Sequence, residues 1–217
     1  MKQEVISAIE KYKIIGILRG IPKDKLLQTA EALYAGGIRL LEITYHPDGC
    51  VSDADTAEQI GMLARHFAGR MFIGAGTVLT EKQVELTKEA GGLFCISPNT
   101  DEKVIEASNR LGLVSIPGGL TPTEIVNAHG WGADFVKLFP VSSLGPAYVK
   151  AVKAPLSHIK LLAVGGIEPA NMEDYLKAGV CGFGIGSNIA DKKLIGAGDW
   201  AGLTALAEKY TAVICNG

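Results

Sequence analysis

Two charged residues stand inside apolar runs of the sequence, Lys137 between Phe135 and Phe139 and Glu42 within residues 39–44. Burial disfavours the charged form of an amine and lowers its pKa, so a buried lysine can attack a ketone and form a Schiff base. A buried carboxyl group with a raised pKa can relay protons for such a reaction. The alternative is that Lys137 forms a structural ion pair or extends its amine to solvent.

Both runs are typical of β-strands that are covered on two faces, as in a parallel sheet. The two-residue period of a strand puts Lys137 on the same face as Phe135 and Phe139. A carboxylate in the middle of a strand is as costly to bury as the lysine. Glu42 and Lys137 could therefore neutralise each other, or Glu42 could pair with Arg19.

Short apolar runs alternate with amphipathic segments along the chain, which predicts strands alternating with helices around a parallel sheet. We predict one extra N-terminal helix and eight strands, each followed by a helix, with the strands at residues 14–18, 39–44, 71–75, 93–96, 113–116, 134–138, 160–164 and 181–185. Thr80 and Thr121 are predicted N-caps. This pattern predicts a single domain over residues 1–217, a compact (β/α)₈ TIM barrel. An open doubly wound sheet is the alternative.

Active sites of such barrels form at the C-terminal ends of the strands. Gly165-Gly166 follows the seventh predicted strand and Gly186-Ser187 follows the eighth, the two loops where these barrels bind phosphate. Glycine lets backbone N–H groups approach an anion, and the dipole of a following helix adds to the attraction. Either pair alone could be an ordinary turn, but both pairs together favour a phosphate site.

Composition excludes several other classes of function. The formal net charge of −2 indicates neither a nucleic-acid nor a membrane surface, and no apolar run approaches the length of a membrane helix. The first 13 residues are amphipathic and charged, so we expect no signal peptide and a reducing cytoplasmic location. The four cysteines and four histidines follow no metal-binding spacing, so we expect neither a metal nor a cofactor.

Five motifs occur in the order and spacing of one known family. They are Leu41-Glu42-Ile43-Thr44, Gly74-Ala75-Gly76-Thr77-Val78, Ile96-Ser97-Pro98-Asn99, Val136-Lys137-Leu138-Phe139-Pro140 and Val164-Gly165-Gly166-Ile167. With them the chain resembles the 2-keto-3-deoxy-6-phosphogluconate (KDPG) and 4-hydroxy-2-oxoglutarate (KHG) aldolases over nearly its whole length. The resemblance implies a metal-free class I aldolase, usually a homotrimer, with a (β/α)₈ barrel. Its small-molecule substrate would be a phosphorylated keto acid, 2-dehydro-3-deoxy-6-phosphogluconate, cleaved to pyruvate and glyceraldehyde 3-phosphate.

The resemblance also implies a role for each matching residue. Lys137 would be the Schiff-base lysine, and Glu42 would be the general acid and base. The pocket around the pyruvyl group would be formed by Thr77, Pro98 and Phe139. The phosphate site would be formed by Gly165, Gly166, Gly186 and Ser187. Arg19, at the end of the first strand, would contact the charged or hydroxylated part of the substrate.

Two positions depart from many phosphogluconate-type members of this family. His46 stands where they have an arginine, so the substrate carboxylate would be bound by Arg19, or by His46 itself, or the substrate would differ. Val164 stands where many of them have a threonine. In Val164 and in Ser143-Leu144-Gly145-Pro146 the chain is more similar to the 6-phosphogalactonate (KDPGal) branch, which leaves the stereochemistry at C4 of the substrate open.

Other functions remain as alternatives at this stage. The main substrate could be 2-dehydro-3-deoxy-6-phosphogalactonate or 4-hydroxy-2-oxoglutarate. A different class would be a sugar-phosphate epimerase or isomerase that uses Glu42 as a base without a covalent step. A non-catalytic sugar-phosphate sensor is a third class, and it would not need a lysine and a carboxylate buried together.

Overall fold

Strands and helices alternate through residues 1–215, the part of the chain that the computed structural model describes. The strands are β1 (Ile14–Leu18), β2 (Leu40–Thr44), β3 (Phe72–Gly76), β4 (Phe94–Ile96), β5 (Val114–Ile116), β6 (Gly118–Gly119), β7 (Val136–Leu138), β8 (Leu161–Val164) and β9 (Gly182–Ile185). The helices are α1 (Lys2–Tyr12), α2 (Lys23–Ala35), α3 (Asp53–His66), α4 (Glu81–Glu89), α5 (Glu102–Arg110), α6 (Pro122–Gly130), α7 (Gly145–Lys153), α8 (Pro169–Ala178), α9 (Lys192–Ala197) and α10 (Trp200–Cys215). The N-terminal helix and the alternation are therefore confirmed.

All strand pairs are parallel, and the sheet order is β5-β4-β3-β2-β1-β9-β8-β7-β6. Its two edge strands, β5 and β6, are consecutive in the chain and are separated only by Pro117. The carbonyl of Pro117 still accepts a hydrogen bond from the N–H of Lys137 at 2.8 Å. Segment 114–119 thus pairs with β4 on one side and β7 on the other, which closes the barrel. The strand predicted at 113–116 is confirmed as β5, whereas β6, beyond Pro117, is an additional short strand that the sequence pattern does not predict.

Each strand sends alternate side chains into the barrel and towards the helices. Val136 and Leu138 of β7 belong to the large apolar core between the barrel and the helices, whereas Phe135 belongs to a second core inside the barrel. Lys137 shares the inward face of Phe135, as the two-residue period predicts. Because of this alternation, the side chain of Lys137 points towards the barrel axis.

Helix α1 covers the N-terminal end of the barrel. Its buried residues Val5, Ile6 and Ile9 belong to the same cluster as Phe94 and Phe135 inside the barrel. Burial of such side chains contributes roughly 1.5–3 kcal/mol each. The barrel interior is therefore filled and capped at this end.

Local signals set several helix boundaries. Thr80 accepts a hydrogen bond from the N–H of Gln83, and Thr121 forms a capping box with Glu124 and precedes Pro122, so both predicted N-caps are confirmed. Helix α9 was not predicted, although Asp191 accepts bonds from its first N–H groups and Gly198 ends it with a φ of 70°. No helix within the described residues is long and apolar enough to span a membrane.

Candidate active site

A cavity of about 540 Å³ opens at the C-terminal ends of the strands, the end expected for this fold. Most of the predicted site residues line it. They are Arg19, Thr77, Pro98, Lys137, Phe139, Val164, Gly165, Gly166, Gly186 and Ser187. Two predicted residues do not line this cavity: Glu42 lies beneath it and His46 lies outside it. The sequence pattern therefore brings ten of the twelve predicted site residues to one cavity, and their roles in substrate binding stay predictions.

Lys137 lies at the floor of the cavity, in the middle of β7. Only 5% of the residue is exposed, because β6 and β8 pair with β7 on either side. Burial lowers the pKa of the Lys137 amine, the Arg19 charge lowers it further, and the Glu42 charge opposes both effects. The Lys137 Nζ atom also lies 4.7 Å from the centroid of the Phe139 ring. Burial favours the neutral, nucleophilic amine, whereas the ring face of Phe139 favours the ammonium form.

Glu42 lies in the middle of β2 and is 1% exposed. Burial raises the pKa of its carboxyl group, while the nearby charges of Lys137 and Arg19 partly offset that rise. Its Oε2 atom is buried without a hydrogen-bond partner among the described residues. An unpaired buried carboxyl oxygen is costly, and such cases concentrate where a group is kept for chemistry.

Glu42 and Lys137 line a second, smaller cavity of about 10 Å³ next to the main one. Within residues 1–215 their side chains form no ion pair at 4.0 Å or less, so a direct neutralising contact is absent. The volume is close to what one water molecule requires. The two groups are therefore neighbours with room for a bridging water.

The space for the Glu42 carboxyl group is provided by Gly76 of β3. A Cβ atom at position 76 would overlap Glu42 Oε1 and would lie 2.5 Å from Glu42 Cδ. Real Cβ atoms essentially never show contacts this short, so a larger residue at position 76 would force the carboxyl group to shift. The Gly74-Ala75-Gly76 pattern that ends β3 thus serves the site directly.

Arg19 and Thr77 meet at one side of the cavity. The Arg19 guanidinium donates a hydrogen bond to Thr77 Oγ1 at 3.2 Å. Thr77 has a φ of 55°, a left-handed conformation that is uncommon for a β-branched residue. Strain of this kind persists where surrounding structure fixes it, often at a binding site. The pair offers a fixed cation and a hydroxyl group to an anionic or hydroxylated ligand.

Two glycine-rich turns form another side of the cavity. Gly165 and Gly166 have φ values of 102° and 67°, which favour glycine. Gly186 accepts hydrogen bonds from two N–H groups further along its own turn. No backbone carbonyl in the described range accepts a bond from the N–H of Gly166 or Ser187. These turns therefore keep N–H donors available for an anion.

His46 is not among the residues that line the cavity, so its position gives no support to the predicted role in substrate binding, which stays a prediction. A tight turn follows β2, with the N–H of Gly49 bonded to the carbonyl of His46. The His46 Nδ1 atom lies 3.1 Å from Cys50 Sγ, and ligand atoms of His46, Asp48 and Cys50 lie within 4.8 Å of one another. Such a group could hold a metal ion, but all three residues are at least partly exposed and none lines the cavity.

Sequence reasoning missed several residues that line the cavity. Lys192, Asn188 and Ile17 all do so. The Asn188 amide donates to the carbonyl of Ile167 at 3.1 Å and so ties the two glycine-rich turns together. Lys192 stands five positions after Ser187 and directly follows the N-cap residue Asp191. That position in the sequence could have indicated a further cation at the site.

Comparison with known sequences gives a consistent result. The family model described as "Aldolase: KDPG and KHG aldolase" matches residues 5–206. A protein of Rhizobium meliloti named probable 2-dehydro-3-deoxy-6-phosphogalactonate aldolase is 37% identical over 187 residues, which is 86% of this chain and 85% of the relative. A 2-dehydro-3-deoxy-phosphogluconate aldolase of Treponema pallidum is 30% identical over 214 residues, which is 97% of both chains.

Solved structures show the same likeness. The structure described as native KDPGal has a TM-score of 0.83 and 31% identity, and the match covers 92% of this chain and 93% of that one. The KDPG aldolase of Legionella pneumophila, with pyruvate captured as a covalent carbinolamine, has a TM-score of 0.83 and 29% identity, covering 94% and 96%. A match of this extent in sequence and in fold means that the chain belongs to the KDPG and KHG aldolase family.

Proposed function

We propose that this aldolase cleaves a 2-keto-3-deoxy-6-phospho sugar acid to pyruvate and glyceraldehyde 3-phosphate through a Schiff base on Lys137. The observation that supports this best is the pair of buried groups at the cavity floor. Burial lowers the pKa of the Lys137 amine and raises the pKa of the Glu42 carboxyl group, and about one water molecule's space lies beside them. A structural ion pair would instead place the two groups in direct contact.

The proposed reaction begins when the neutral Lys137 amine attacks the C2 ketone of the substrate. Glu42, acting through the adjacent water, supplies the protons for carbinolamine formation and dehydration, with release of water. The iminium then accepts the electron pair of the C3–C4 bond as that bond breaks and the C4 hydroxyl loses its proton to Glu42. The aldehyde departs, and the resulting enamine is protonated at C3 and hydrolysed to pyruvate and free Lys137.

The two ends of the substrate would bind at different parts of the cavity. Thr77, Pro98 and Phe139 would surround the pyruvyl group, and Arg19 would bind its carboxylate because its guanidinium is already fixed by Thr77. The phosphate would bind the N–H groups of the turns at Gly165-Gly166 and Gly186-Ser187. Binding far from the reacting carbon positions the substrate without taking part in the chemistry.

The galactonate-type acid is the second candidate substrate. Val164 is 7% exposed and lines the cavity, where it offers a methyl surface and no hydroxyl group. The 37% identical relative from Rhizobium meliloti carries the galactonate name. Pyruvate release from the two C4 epimers and from 4-hydroxy-2-oxoglutarate, measured side by side, would rank the three substrates by kcat/KM.

We also infer that the enzyme works as a homotrimer in the cytoplasm, as the family resemblance implies. Light scattering should then give a particle mass of three times the 22.8 kDa chain. A monomeric mass at assay concentration would refute the trimer.

Borohydride reduction in the presence of pyruvate tests the covalent step. The expected result is a stable adduct on Lys137, identified by peptide mass spectrometry, and loss of both adduct and cleavage in Lys137→Met. A circular dichroism spectrum of the variant should remain native. Trapping on a different lysine, or full cleavage by Lys137→Met, would overturn the mechanism and favour a non-covalent reaction at Glu42.

A further inference from the structure

Lys192 adds a third cation to the main cavity, beside Lys137 and Arg19. A Cβ atom at Gly20 would lie 3.9 Å from Lys192 Nζ, so the ammonium group lies beside the turn that follows β1. The residues that line this cavity include no aspartate or glutamate. The cavity mouth is therefore cationic beyond what Arg19 alone provides.

The backbone around Lys192 is firmly held. The preceding residues Ile189 and Ala190 are 0% and 4% exposed. Asp191 uses its Oδ1 atom to accept hydrogen bonds from the N–H groups of Lys193 and Leu194, at 2.8 and 2.9 Å. The start of α9 is thus fixed, and the Lys192 side chain leaves it at a defined position on the lining of the cavity that Gly186 and Ser187 also line.

The charge of Lys192 is not compensated inside the protein. Several surface lysines pair with a carboxylate, as Lys23 does with Glu58 at 2.7 Å and Lys177 with Glu173 at 2.7 Å. In the described part of the chain Lys192 has no such partner within 4.0 Å, and the carboxylate next to it in sequence caps α9 instead. An unpaired ammonium group at a cavity mouth is available to an anionic ligand.

We propose that Lys192 binds the substrate phosphate and makes the enzyme selective for phosphorylated acids, an inference that rests on the proposed function. The glycine-rich turns offer N–H donors but no formal charge, whereas a phosphate monoester carries about −1.5 to −2 charges at neutral pH. The guanidinium of Arg19 is bonded to Thr77 and would face the carboxylate. Lys192 supplies the positive charge that the phosphate otherwise lacks.

The test compares Lys192→Met with the matched control Lys193→Met, whose side chain is exposed and does not line the cavity. Each variant is assayed with the phosphorylated keto acid and with the same acid lacking the phosphate. For Lys192→Met we expect kcat/KM on the phosphorylated acid to fall about tenfold, mostly through KM, as for loss of one solvent-exposed charge-assisted hydrogen bond. We expect no change on the unphosphorylated acid, full activity in Lys193→Met, and about tenfold weaker competitive inhibition by inorganic phosphate.

The outcomes separate this inference from the proposed function. If the wild-type enzyme cleaves no phosphorylated keto acid, the proposed function fails. If the wild type cleaves it and Lys192→Met keeps the same KM and phosphate inhibition, the role of Lys192 is refuted while the aldolase function stands. An equal loss on both acids would also refute it, because the effect would then not depend on phosphate. Lys192→Arg, which keeps the charge, should retain most of the selectivity.

Discussion

The contact between Gly76 and Glu42 makes Gly76→Ala a sensitive probe of the site. The new Cβ atom would lie 2.5 Å from Glu42 Cδ, whereas carbon atoms in contact prefer about 3.5–4.0 Å. The carboxyl group must therefore retreat by about 1 Å. A displacement of that size at a catalytic group costs about 100-fold in rate, or about 2.7 kcal/mol in the activation free energy.

The same substitution should also reduce stability. Forcing one methyl group into a packed interior costs about 1–3 kcal/mol in the free energy of unfolding. For a domain of this size that corresponds to a fall in Tm of about 2–12 °C. The assay is therefore kcat/KM for pyruvate release, measured well below the Tm of the variant, together with a thermal melt.

Gly74→Ala is the matched control, since it adds a methyl group two residues earlier on the same face of β3. There the three atoms nearest to the Cβ atom would all belong to the ring of Phe94 in the apolar interior, although Gly74 is the ladder partner of Glu42 on β2. We expect a comparable loss of Tm but a kcat within a fewfold of wild type. Equal kcat losses in the two variants would show that strand distortion, and not Glu42, is responsible.

A double variant tests whether the effect passes through Glu42. Glu42→Asp shortens the side chain by one methylene and removes the overlap at position 76. We expect Gly76→Ala to cost little further activity in the Glu42→Asp background, since residues in contact are not additive. If Gly76→Ala left wild-type activity intact while Glu42→Gln abolished it, the inferred steric coupling would be wrong.

Two further predictions concern charge and helix capping. Ionised Glu42 raises the pKa of Lys137 and Arg19 lowers it, and only the free amine reacts. The rate of borohydride trapping with pyruvate, measured against pH, should therefore begin to fall at a lower pH in Glu42→Gln and at a higher pH in Arg19→Met. A shift in the same direction in both variants would contradict this electrostatic explanation. Thr121→Ala removes the capping box of α6 and should lower the free energy of unfolding by about 1 kcal/mol, or Tm by about 2–4 °C, at unchanged kcat. A thermal melt against Thr123→Ala, which leaves the cap intact, checks this result.

The barrel and the floor of the site could be predicted because strand periodicity fixes which side chains face inward. Lys137 and Glu42 each stand at the centre of a short apolar run, and a mid-strand position has only two possible directions. The glycine turns after β8 and β9 could be placed for a similar reason, since they directly follow strands. Within a regular strand, the position of a residue in the sequence therefore determines where its side chain points.

The spatial position of a loop residue is harder to predict from the sequence, and the differences between prediction and structure concern such residues. His46 follows β2 by two residues, yet its side chain turns back to Cys50 because a tight turn intervenes. Lys192 reaches the cavity because the turn after β9 places the first residue of α9 beside the end of β1. Strand β6 was likewise not predicted, because its two glycines after Pro117 carry no hydrophobic pattern. Each outcome depends on backbone dihedral angles that composition does not specify.

Helix α1 closes one end of the barrel, and in the proposed mechanism this has a consequence for the order of product release. The pyruvyl half of the substrate, joined to Lys137 at the floor, would lie deeper than the phosphorylated half at the mouth. The aldehyde must therefore leave before pyruvate, and in the reverse direction pyruvate must enter first. Pyruvate is the last product released, so it binds the same free enzyme as the substrate and competes with it. The aldehyde instead binds the enzyme form that still carries pyruvate.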